Sequence, residues 1–489
     1  MKPFATRLLA GTALIALATA AHAGERAQSS GTSNQGAAAN DAKIEQLEQD
    51  IQDLQAQVQD LKRSTADQYA DVRTQQAKGV KLTLNNGRPT ITADDFTFSL
   101  RALVQYDSAY YGQGKVPAGT DFSSGSNFRR ARFGFEGTAF KDWYYTFIYD
   151  FGGSGNEGST ISSAYIQYNG LAPVHLRIGA FPPSESFDDT TSASDLLFLE
   201  RAQPTDVARG IAGSDGRDAV QIFAYDDDYF ASIAYTGNLV GTAGAFDEQQ
   251  ALVGRLAYRP IASENVNLAF GGDLTYVLKL PDLTAGPNSA HAFSLSERPE
   301  LNADDNNIRL ISSGTLDADH ATEWGVEAAG NYYNFYGQGG YFGFLADRRA
   351  LGNPTHLPDP DFNGWYVQAS WILTGESKKY KPETGSWGSP KPNDPFTIDK
   401  VGAGAWEVAA RYSDLDLDYH AGDFGKTTPF GGIRGGDQRI WSAGINWYPN
   451  QVLRFMLDFQ HTDVSKLSGA GADADARLDA VSLRTQISF

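Results

Sequence analysis

The sequence predicts an all-β transmembrane barrel of about sixteen antiparallel strands, preceded by a short helix that forms a coiled coil. Three observations support this prediction: an N-terminal export signal, alternating apolar and polar segments from about residue 82 onward, and the aromatic C-terminal residue. The last segment has an apolar face and a polar face, at Val481, Leu483, Ile487 and Phe489 against Ser482, Arg484, Gln486 and Ser488. One such strand would also fit a soluble sheet. The alternation is repeated along the chain after an export signal, and this favours a barrel with lipid outside and water inside.

Residues 1–23 are predicted to be a signal peptide. Lys2 and Arg7 supply a basic start, an apolar run follows over residues 8–20, and Ala21-His22-Ala23 forms a small-residue cleavage site. The apolar run is too short for a membrane-spanning helix. We therefore expect export across the inner membrane.

The composition is that of a strand-and-turn protein. The chain has 51 Gly, 28 Phe and 23 Tyr, and aromatic residues make up 12 %, which suits the interfacial girdles of a barrel. The absence of Cys excludes a disulfide scaffold and thiol chemistry. A net charge of −19 argues against a nucleic-acid partner, but it does not report the charge that lines a narrow lumen.

Two segments are expected between the signal peptide and the barrel. Residues 24–40 are polar and Gly-rich, which is typical of a flexible linker. Residues 41–79 carry a heptad pattern, which predicts a coiled-coil helix, although an amphipathic helix packed on its own domain would have the same pattern. The core positions are Ile44, Leu47, Ile51, Leu54, Val58 and Leu61. Their alternation of β-branched residues and Leu favours a parallel dimer.

The barrel is expected over residues 80–489. Short turns such as Phe140-Lys141-Asp142-Trp143 and Tyr448-Pro449-Asn450-Gln451 should all lie at one rim, the periplasmic one, which requires an even strand count. Two segments are too long for turns and are expected to fold inward at a constriction, residues 182–216 and residues 280–319.

Several motifs in the barrel region resemble the phosphate-selective porin O/P family. They include Phe128-Arg-Arg-Ala-Arg-Phe-Gly-Phe-Glu-Gly137, Leu199-Glu-Arg201, Gly364-Trp-Tyr-Val-Gln-Ala-Ser-Trp-Ile-Leu-Thr-Gly-Glu-Ser377 and Asn446-Trp-Tyr-Pro-Asn450. The resemblance covers about residues 82–489. It implies an outer-membrane location in a Gram-negative bacterium, a homotrimer of 16-stranded barrels, and a periplasmic N-terminal extension. It also implies passage of small anions such as phosphate. Known members carry closely spaced arginines on one strand, where this sequence has Arg130-x-Arg132.

The alternation of the strands predicts that basic side chains face the lumen, because an Arg facing lipid at mid-depth costs about 2–4 kcal/mol. The candidate pore-lining and anion-binding residues are Arg101, Arg130, Arg132, Arg177, Arg201, Arg209 and Arg217. The alternative for each Arg is an ion pair with a lumenal carboxylate such as Glu136 or Asp150, which would leave no net field. Arg411 beside Glu407 is the clearest such case.

We expect a porin for passive diffusion of small solutes, with anions preferred. A general or cation-preferring porin and a plugged barrel that anchors the envelope are the alternatives. The scattered His residues fit no Ser–His or metal-binding motif, so we expect neither an enzyme, a catalytic residue, a metal site nor a cofactor. The expected partners are outer-membrane lipid, further copies of the chain and small anions.

Overall fold

The computed structural model describes residues 35–85, 87–153, 160–241, 246–286, 289–304, 306–349 and 357–489. The predicted signal peptide and residues 24–34 of the predicted linker lie outside these ranges. The chain divides into two compact units, residues 1–78 and residues 79–489.

The described part of the first unit is one helix, α1 (Gln35–Lys78). It begins before residue 41, the predicted start of the coil, because Ala37, Ala38 and Ala39 are strong helix formers. The six predicted coiled-coil core side chains are 50–70 % exposed, so they form an apolar stripe along the helix. None of the helices in the described residues is long and apolar enough to cross a membrane.

Within the described residues of the second unit, sixteen antiparallel strands close into a barrel, as the sequence predicts. They are β1 (Phe96–Lys115), β2 (Gly125–Ala139), β3 (Trp143–Asp150), β4 (Thr160–Leu171), β5 (Val174–Ala180), β6 (Arg217–Tyr225), β7 (Tyr229–Leu239), β8 (Gln250–Ala262), β9 (Val266–Lys279), β10 (Leu316–Tyr332), β11 (Phe335–Arg348), β12 (Asp361–Ile372), β13 (Ala405–Tyr419), β14 (Ile433–Tyr448), β15 (Leu453–Ser465) and β16 (Ala476–Ser488). Each strand pairs with the next, and β16 pairs with β1.

A short hairpin precedes the barrel and pairs with β1. Its strands are Lys81–Asn85 and Arg88–Ala93, and the second pairs with the first residues of β1 in the register Thr90↔Ser99. On the same β1 edge, Phe489 exchanges two backbone hydrogen bonds of 3.0 Å with Ala102. The hairpin thus covers residues 96–99 of that edge, and the C-terminal strand with Phe489 covers residues 102–115.

The outer face carries aromatic residues at two levels separated by small and aliphatic ones. Trp406 and Trp447 stack at 5.5 Å near one rim, and Tyr412 and Trp441 lie 4.4 Å apart nearer the other. Between these levels the outward residues are apolar, such as Ile445 of β14. This band is typical of a lipid-facing barrel wall.

Three long connections enter the lumen. Loop L3 (residues 181–216) contains the helices α2 (Phe187–Thr190) and α3 (Gln203–Ala212), and loop L5 (residues 280–315) contains a small ladder between Ser296–Glu297 and Ile311–Ser312. By strand parity both lie at the rim opposite to the short turns. The third, segment T6 (residues 373–404), enters from the rim of the short turns and carries the paired strands Tyr380–Lys381 and Ser386–Trp387. The sequence predicted L3 and L5 but not T6.

One side of the lumen is filled by an apolar cluster. Phe342 and Phe344 of β11 and Leu415 of β13 point inward and are buried against L3 and L5, which contribute Ile211 and Ile311. Apolar residues therefore occupy both faces of these strands near the loop-side rim. This region, called the dry half, leaves space for water along the opposite wall.

Candidate pore constriction

Three adjoining cavities follow the wall from β1 to β7, and this row of cavities is here called the passage. The outer cavity, at the rim of L3 and L5, has a volume of about 1000 Å³, the middle cavity about 310 Å³ and the inner cavity about 800 Å³. The outer and middle cavities share Arg132, Ser162, Arg209 and Asp215, whereas the middle and inner cavities share Arg101, Arg132, Ile148 and Ser192. Arg132 thus borders all three cavities.

Arg132 joins the barrel wall to loop L3. Its Nε donates to Asp150 at 2.7 Å on the neighbouring strand, and its Nη2 donates to Asp215 in L3. Arg209 of α3 is close by. Its Nε donates to Asp189 Oδ1 at 2.6 Å, and its Nη2 donates to Asp215 Oδ1 at 3.4 Å. The basic side chains at this point of the passage are therefore largely compensated by L3 carboxylates.

Asp215 keeps its charge over a wide pH range. Burial alone would raise the pKa of this loop carboxyl, but Arg132 and Arg209 outweigh burial and hold the pKa well below its usual range. The L3 contribution at the narrow point of the passage is therefore a fixed negative charge.

A β-bulge brings a third arginine of β2 into the lumen. The register pairs Gln105 with Arg130 but Tyr106 with Phe128, so Arg129 is the extra residue. Strict alternation would turn Arg129 toward lipid. In the structure its Nε donates to Glu200 of L3 at 2.8 Å, and Arg130 lies 3.7 Å from the same carboxylate.

The predicted site residue Arg130 is buried rather than freely exposed to the passage. Its Nη1 donates to Gln105 at 2.9 Å, and Glu200 covers it, although it borders the outer cavity. Glu200 also accepts from Arg484 at 3.1 Å. Burial alone would raise the pKa of Glu200, but the surrounding arginines, beginning with Arg129, hold it well below the usual range.

On the far side of L3, lumenal side chains of β13 to β16 bind the loop backbone. Arg484 forms a two-bond pair with Asp107 at 2.7 and 2.6 Å and donates to the Leu199 carbonyl at 2.6 Å. Asp458 accepts from the Leu199 amide at 2.9 Å. These contacts fix L3 against that wall.

The predicted pair Arg411–Glu407 does not form. Arg411 instead donates to Glu300 of L5 and to the Glu200 carbonyl at 3.0 Å. This happens because L5 reaches the wall at β13, a contact that the strand pattern does not predict. Glu407 pairs at 3.1 Å with Lys378 of T6. Both pairs are buried, and each fastens one inserted connection to the wall.

The other predicted site residues differ in their surroundings. Arg101 borders the middle and inner cavities and lies 3.0 Å from Glu136. Arg201 borders the middle cavity but donates to the carbonyls of Asp188, Asp189 and Thr191 at 3.0–3.2 Å, so it mainly braces L3. Arg217 is buried and donates to the carbonyls of Gly213 and Gly237 at 2.7 and 3.1 Å.

Arg177 is the predicted residue with the most available charge. It borders the middle cavity, and its Nε and Nη2 donate to Gln167 Oε1 at 2.9 and 2.8 Å. The rings of Tyr165, Phe181 and Phe223 surround its guanidinium at 4.6–5.2 Å. Among the described residues it forms no ion pair with a carboxylate.

An acidic group lies behind L3, away from the passage. Glu185 of L3 and the wall residues Asp273 and Glu323 are buried, and their carboxyl oxygens have no hydrogen-bond donor among the described residues. Burial raises the pKa of Glu185 well above its usual range, and the neighbouring carboxyls Asp189 and Asp273 add to the shift. Burial therefore favours the protonated form of Glu185.

Basic residues outnumber acidic ones at the wall of each cavity. The inner cavity is bordered by Arg88, Arg101, Arg132, Lys379, Lys381 and Lys391 against Asp195. The middle cavity has Arg101, Arg132, Arg177, Arg201 and Arg209 against Glu136, Asp189, Asp215 and Glu383. The outer cavity has Arg129, Arg130, Arg132, Arg209, Arg298 and Arg309 against Asp150, Asp206, Asp215 and Glu297. The described passage is thus basic in a chain whose total charge is −19.

Sequence reasoning missed the lysines of T6 and Glu200, the carboxylate that three arginines share. Lys379 and Lys391 come from a segment that no alternation pattern assigns to the lumen. Its length was the available signal, because residues 373–404 far exceed a periplasmic turn. Glu200 belongs to the motif Leu199-Glu-Arg201, but only the folded loop brings it to Arg129, Arg130 and Arg484.

A closed barrel with an apolar outer band and a charged, water-accessible lumen defines the class of outer-membrane porins. The family model for phosphate-selective porin O and P matches residues 98–489, so the chain belongs to the phosphate-selective porin O and P family. It is therefore an outer-membrane porin of a Gram-negative bacterium.

Individual relatives are distant. The chain is 25 % identical over 437 residues to Porin O of Pseudomonas aeruginosa, covering 84 % of this chain and 93 % of that protein. It is 25 % identical over 421 residues to an uncharacterized protein of Caulobacter vibrioides, covering 82 % and 76 %. Among solved structures, it is similar to an anion-selective porin from Comamonas acidovorans, with 12 % identity, a TM-score of 0.47, and coverage of 81 % and 100 %.

Proposed function

We propose that this porin passes small anions, phosphate among several, through the passage along β1 to β7, with L3 and L5 at its constriction. The main observation behind this proposal is that basic residues outnumber acidic ones at the wall of all three cavities. The difference is largest in the inner cavity. Fixed positive charge in a narrow, weakly screened lumen raises the local concentration of anions.

The preference should be mild rather than strict. Most arginines at the narrow point have a carboxylate neighbour, as Arg132 has Asp150 and Asp215. An anion meeting such a pair gains charge-assisted hydrogen bonds only in competition with the carboxylate. Binding of this kind is shallow, which favours release and hence passage.

A general or cation-preferring porin is the second candidate. The compensated arginines favour it, because Arg132, Arg209 and Arg101 each pair with a carboxylate within 3.0 Å. A plugged barrel that only anchors the envelope is disfavoured, because the three adjoining cavities leave open space in the lumen. Membership of a channel family gives no reason to expect an enzyme.

The N-terminal segments carry the remaining proposals. Residues 1–23 serve as signal peptide, residues 24–40 link it to the coil, residues 41–79 form a periplasmic coiled coil, and residues 80–489 form the barrel. The exposed stripe at Ile44, Leu47, Ile51, Leu54, Val58 and Leu61 would be buried between copies of α1. We propose a homotrimer, which the coil helps to hold together.

The proposal is tested by the reversal potential of the purified porin in a planar bilayer under a potassium chloride gradient. We expect an anion preference that weakens with salt, because screening acts over about 8–10 Å at physiological salt. The double variant Lys379→Glu/Lys391→Glu should shift the potential toward cations, since both exposed side chains border the inner cavity. Lys141→Glu, on a turn outside the passage, is the matched control. A cation preference in the unmodified porin would overturn the proposal.

A further inference from the structure

The middle cavity has an aromatic wall that barrel construction does not require. Four aromatic residues border this cavity, one each on β3, β4, β6 and β7: Tyr144, Tyr165, Phe223 and Phe230. Barrels place aromatic residues in girdles on the outer face and polar residues in the lumen. Aromatic rings at the smallest of the three cavities therefore call for a separate explanation.

The rings and Arg177 form one continuous surface. The ring centres of Tyr144 and Tyr165 lie 5.9 Å apart, and those of Phe223 and Phe230 lie 6.2 Å apart. Arg177 on β5 bridges the two pairs, at 4.6 Å from Tyr165 and 4.9 Å from Phe223. A cation is thus set within an aromatic wall rather than beside a carboxylate.

Support of Arg177 accounts for only part of this wall. Phe223 and Phe230 are buried, as packing residues would be, but Tyr144 and Tyr165 are partly exposed. Tyr144 lies on β3, two strands from Arg177, and its hydroxyl donates to Glu136 at 2.7 Å. The ring of Tyr144 therefore extends the aromatic surface beyond the Arg177 guanidinium, which Tyr165 and Phe223 contact.

The dimensions suit a small organic solute. Ligand sites typically have volumes of about 300–1,000 Å³, and the middle cavity has about 310 Å³. A hydrated inorganic anion gains little from rings, whereas a flat apolar body gains contact and stacking energy from them. The Nη1 of Arg177 remains for an anionic group, because Nε and Nη2 both donate to Gln167.

We propose that the middle cavity is a transient binding site for organic anions with one aromatic ring, such as aromatic carboxylates. The carboxylate accepts hydrogen bonds from Arg177, and the ring packs against Tyr144 and Tyr165. This inference rests on the proposed passage of anions and adds a solute class to it. The channel would then slow or block chloride current when such an anion occupies the site.

The test compares benzoate with acetate as blockers of chloride current through the whole porin in planar bilayers. Both carry one carboxylate, so only the ring differs. We expect benzoate to give half-block at a concentration between about twofold and about tenfold lower than acetate, the range of one aromatic contact. Equal block by the two anions in the unmodified porin would overturn the inference.

Variants then locate the effect. Tyr144→Leu/Tyr165→Leu should remove the preference for benzoate over acetate, and Tyr165→Phe, which keeps the ring, should retain it. Tyr110→Leu, a matched change on the outer face of β1, should have no effect. A benzoate preference that survives the double variant would place the site elsewhere and contradict the inference.

The same bilayers separate this inference from the proposed function. Reversal potentials that favour anions together with equal block by benzoate and acetate would leave anion passage standing and remove the ring site. A cation preference would overturn both. If the double variant does not insert, the comparison of benzoate with acetate in the unmodified porin still decides.

Discussion

The two halves of the lumen are built from the same alternating strands but hold different contents. Along β1 to β7 the inward residues include charged and aromatic side chains that border open cavities. Along β11 and β13 the inward residues near the loop rim include Phe342, Phe344 and Leu415, which are buried under L3 and L5. Alternation sets which residues face inward, but the inserted loops decide whether those residues meet water or apolar side chains.

The comparison assigns L3 two roles. Its surface toward β13 to β16 is fixed by Arg484, Asp458 and other lumenal side chains. Its surface toward β2 presents Asp215 and Arg209 to the passage. Changes among the buried contacts of L3 and L5 with β11 to β16, called the dry side, should therefore alter stability and current noise. Changes along the passage, called the wet side, should alter selectivity.

The largest effect is expected from Glu300→Ala on the dry side. It leaves Arg411 buried without its carboxylate partner, and breaking a buried pair in this way costs about 3–5 kcal/mol. Urea unfolding of the detergent-solubilised porin, followed by Trp fluorescence, should show the loss. Asp473→Ala removes an exposed pair with Lys115 and should leave the midpoint unchanged. An unchanged midpoint for Glu300→Ala would contradict the assignment of Glu300 as the L5 anchor.

Glu185→Gln should stabilise the porin, and more so at high pH. The folded-state pKa of Glu185 lies above its unfolded value, so the wild-type protein loses stability as pH rises from about 4.5 toward the folded pKa. The amide does not ionise, so the variant should gain on the order of 1 kcal/mol at pH 9 and little at pH 4. Unfolding midpoints at both pH values measure this. The exposed Glu264→Gln is the control, and an equal gain at both pH values would refute the burial argument.

Asp215→Asn tests the compensation of charge on the wet side. It removes the L3 carboxylate from Arg132 and Arg209. Two unit charges about 4 Å apart interact by about 1 kcal/mol in water, so the anion-to-cation permeability ratio should rise by up to about fivefold at low salt. Reversal potentials in salt gradients measure the ratio. Asp423→Asn, on an exposed loop pair, is the control; a shift toward cations would contradict the role of Asp215.

The smallest effect is expected at the outer cavity, from Glu297. Burial and the nearby Asp206 raise the pKa of Glu297 to about 8. As pH rises through this value, Glu297 becomes negative and the anion preference should fall, by less than about twofold because salt screens a wide cavity. Reversal potentials from pH 6 to pH 10 should show a midpoint near the pKa. In Glu297→Gln the midpoint should disappear, and its persistence would assign the titration to another group.

The sequence was sufficient for the barrel because period-two alternation and turn spacing are local properties. Arg129 shows where that reasoning ends. A single-residue bulge turns it inward, and bulges leave no clear mark in the alternation of one strand. The site depends on pairings across the lumen, such as Glu200 with Arg484, which join residues far apart in the chain. Their partners could not be chosen without the path of L3.

Apolar residues on both faces of β11 and β13 were an available sign of the dry half. Phe342 and Leu415 lie at lumenal positions where polar residues are expected. Such positions predict that something apolar covers them from inside. The sequence could therefore have indicated an inserted loop on this side, although not which loop.

The junction between the two ends of the barrel has a consequence for biogenesis. Phe489 bonds to Ala102 and β16 pairs with β1, so the barrel cannot close until residue 489 has been synthesised and exported. Until then β1 has an open edge, and open edges are templates for aggregation. The hairpin formed by Lys81–Asn85 and Arg88–Ala93 covers part of that edge using only neighbouring sequence, and local pairings form sooner than distant ones. The hairpin therefore covers residues 96–99 of the first strand early, while the rest of that edge waits for β16.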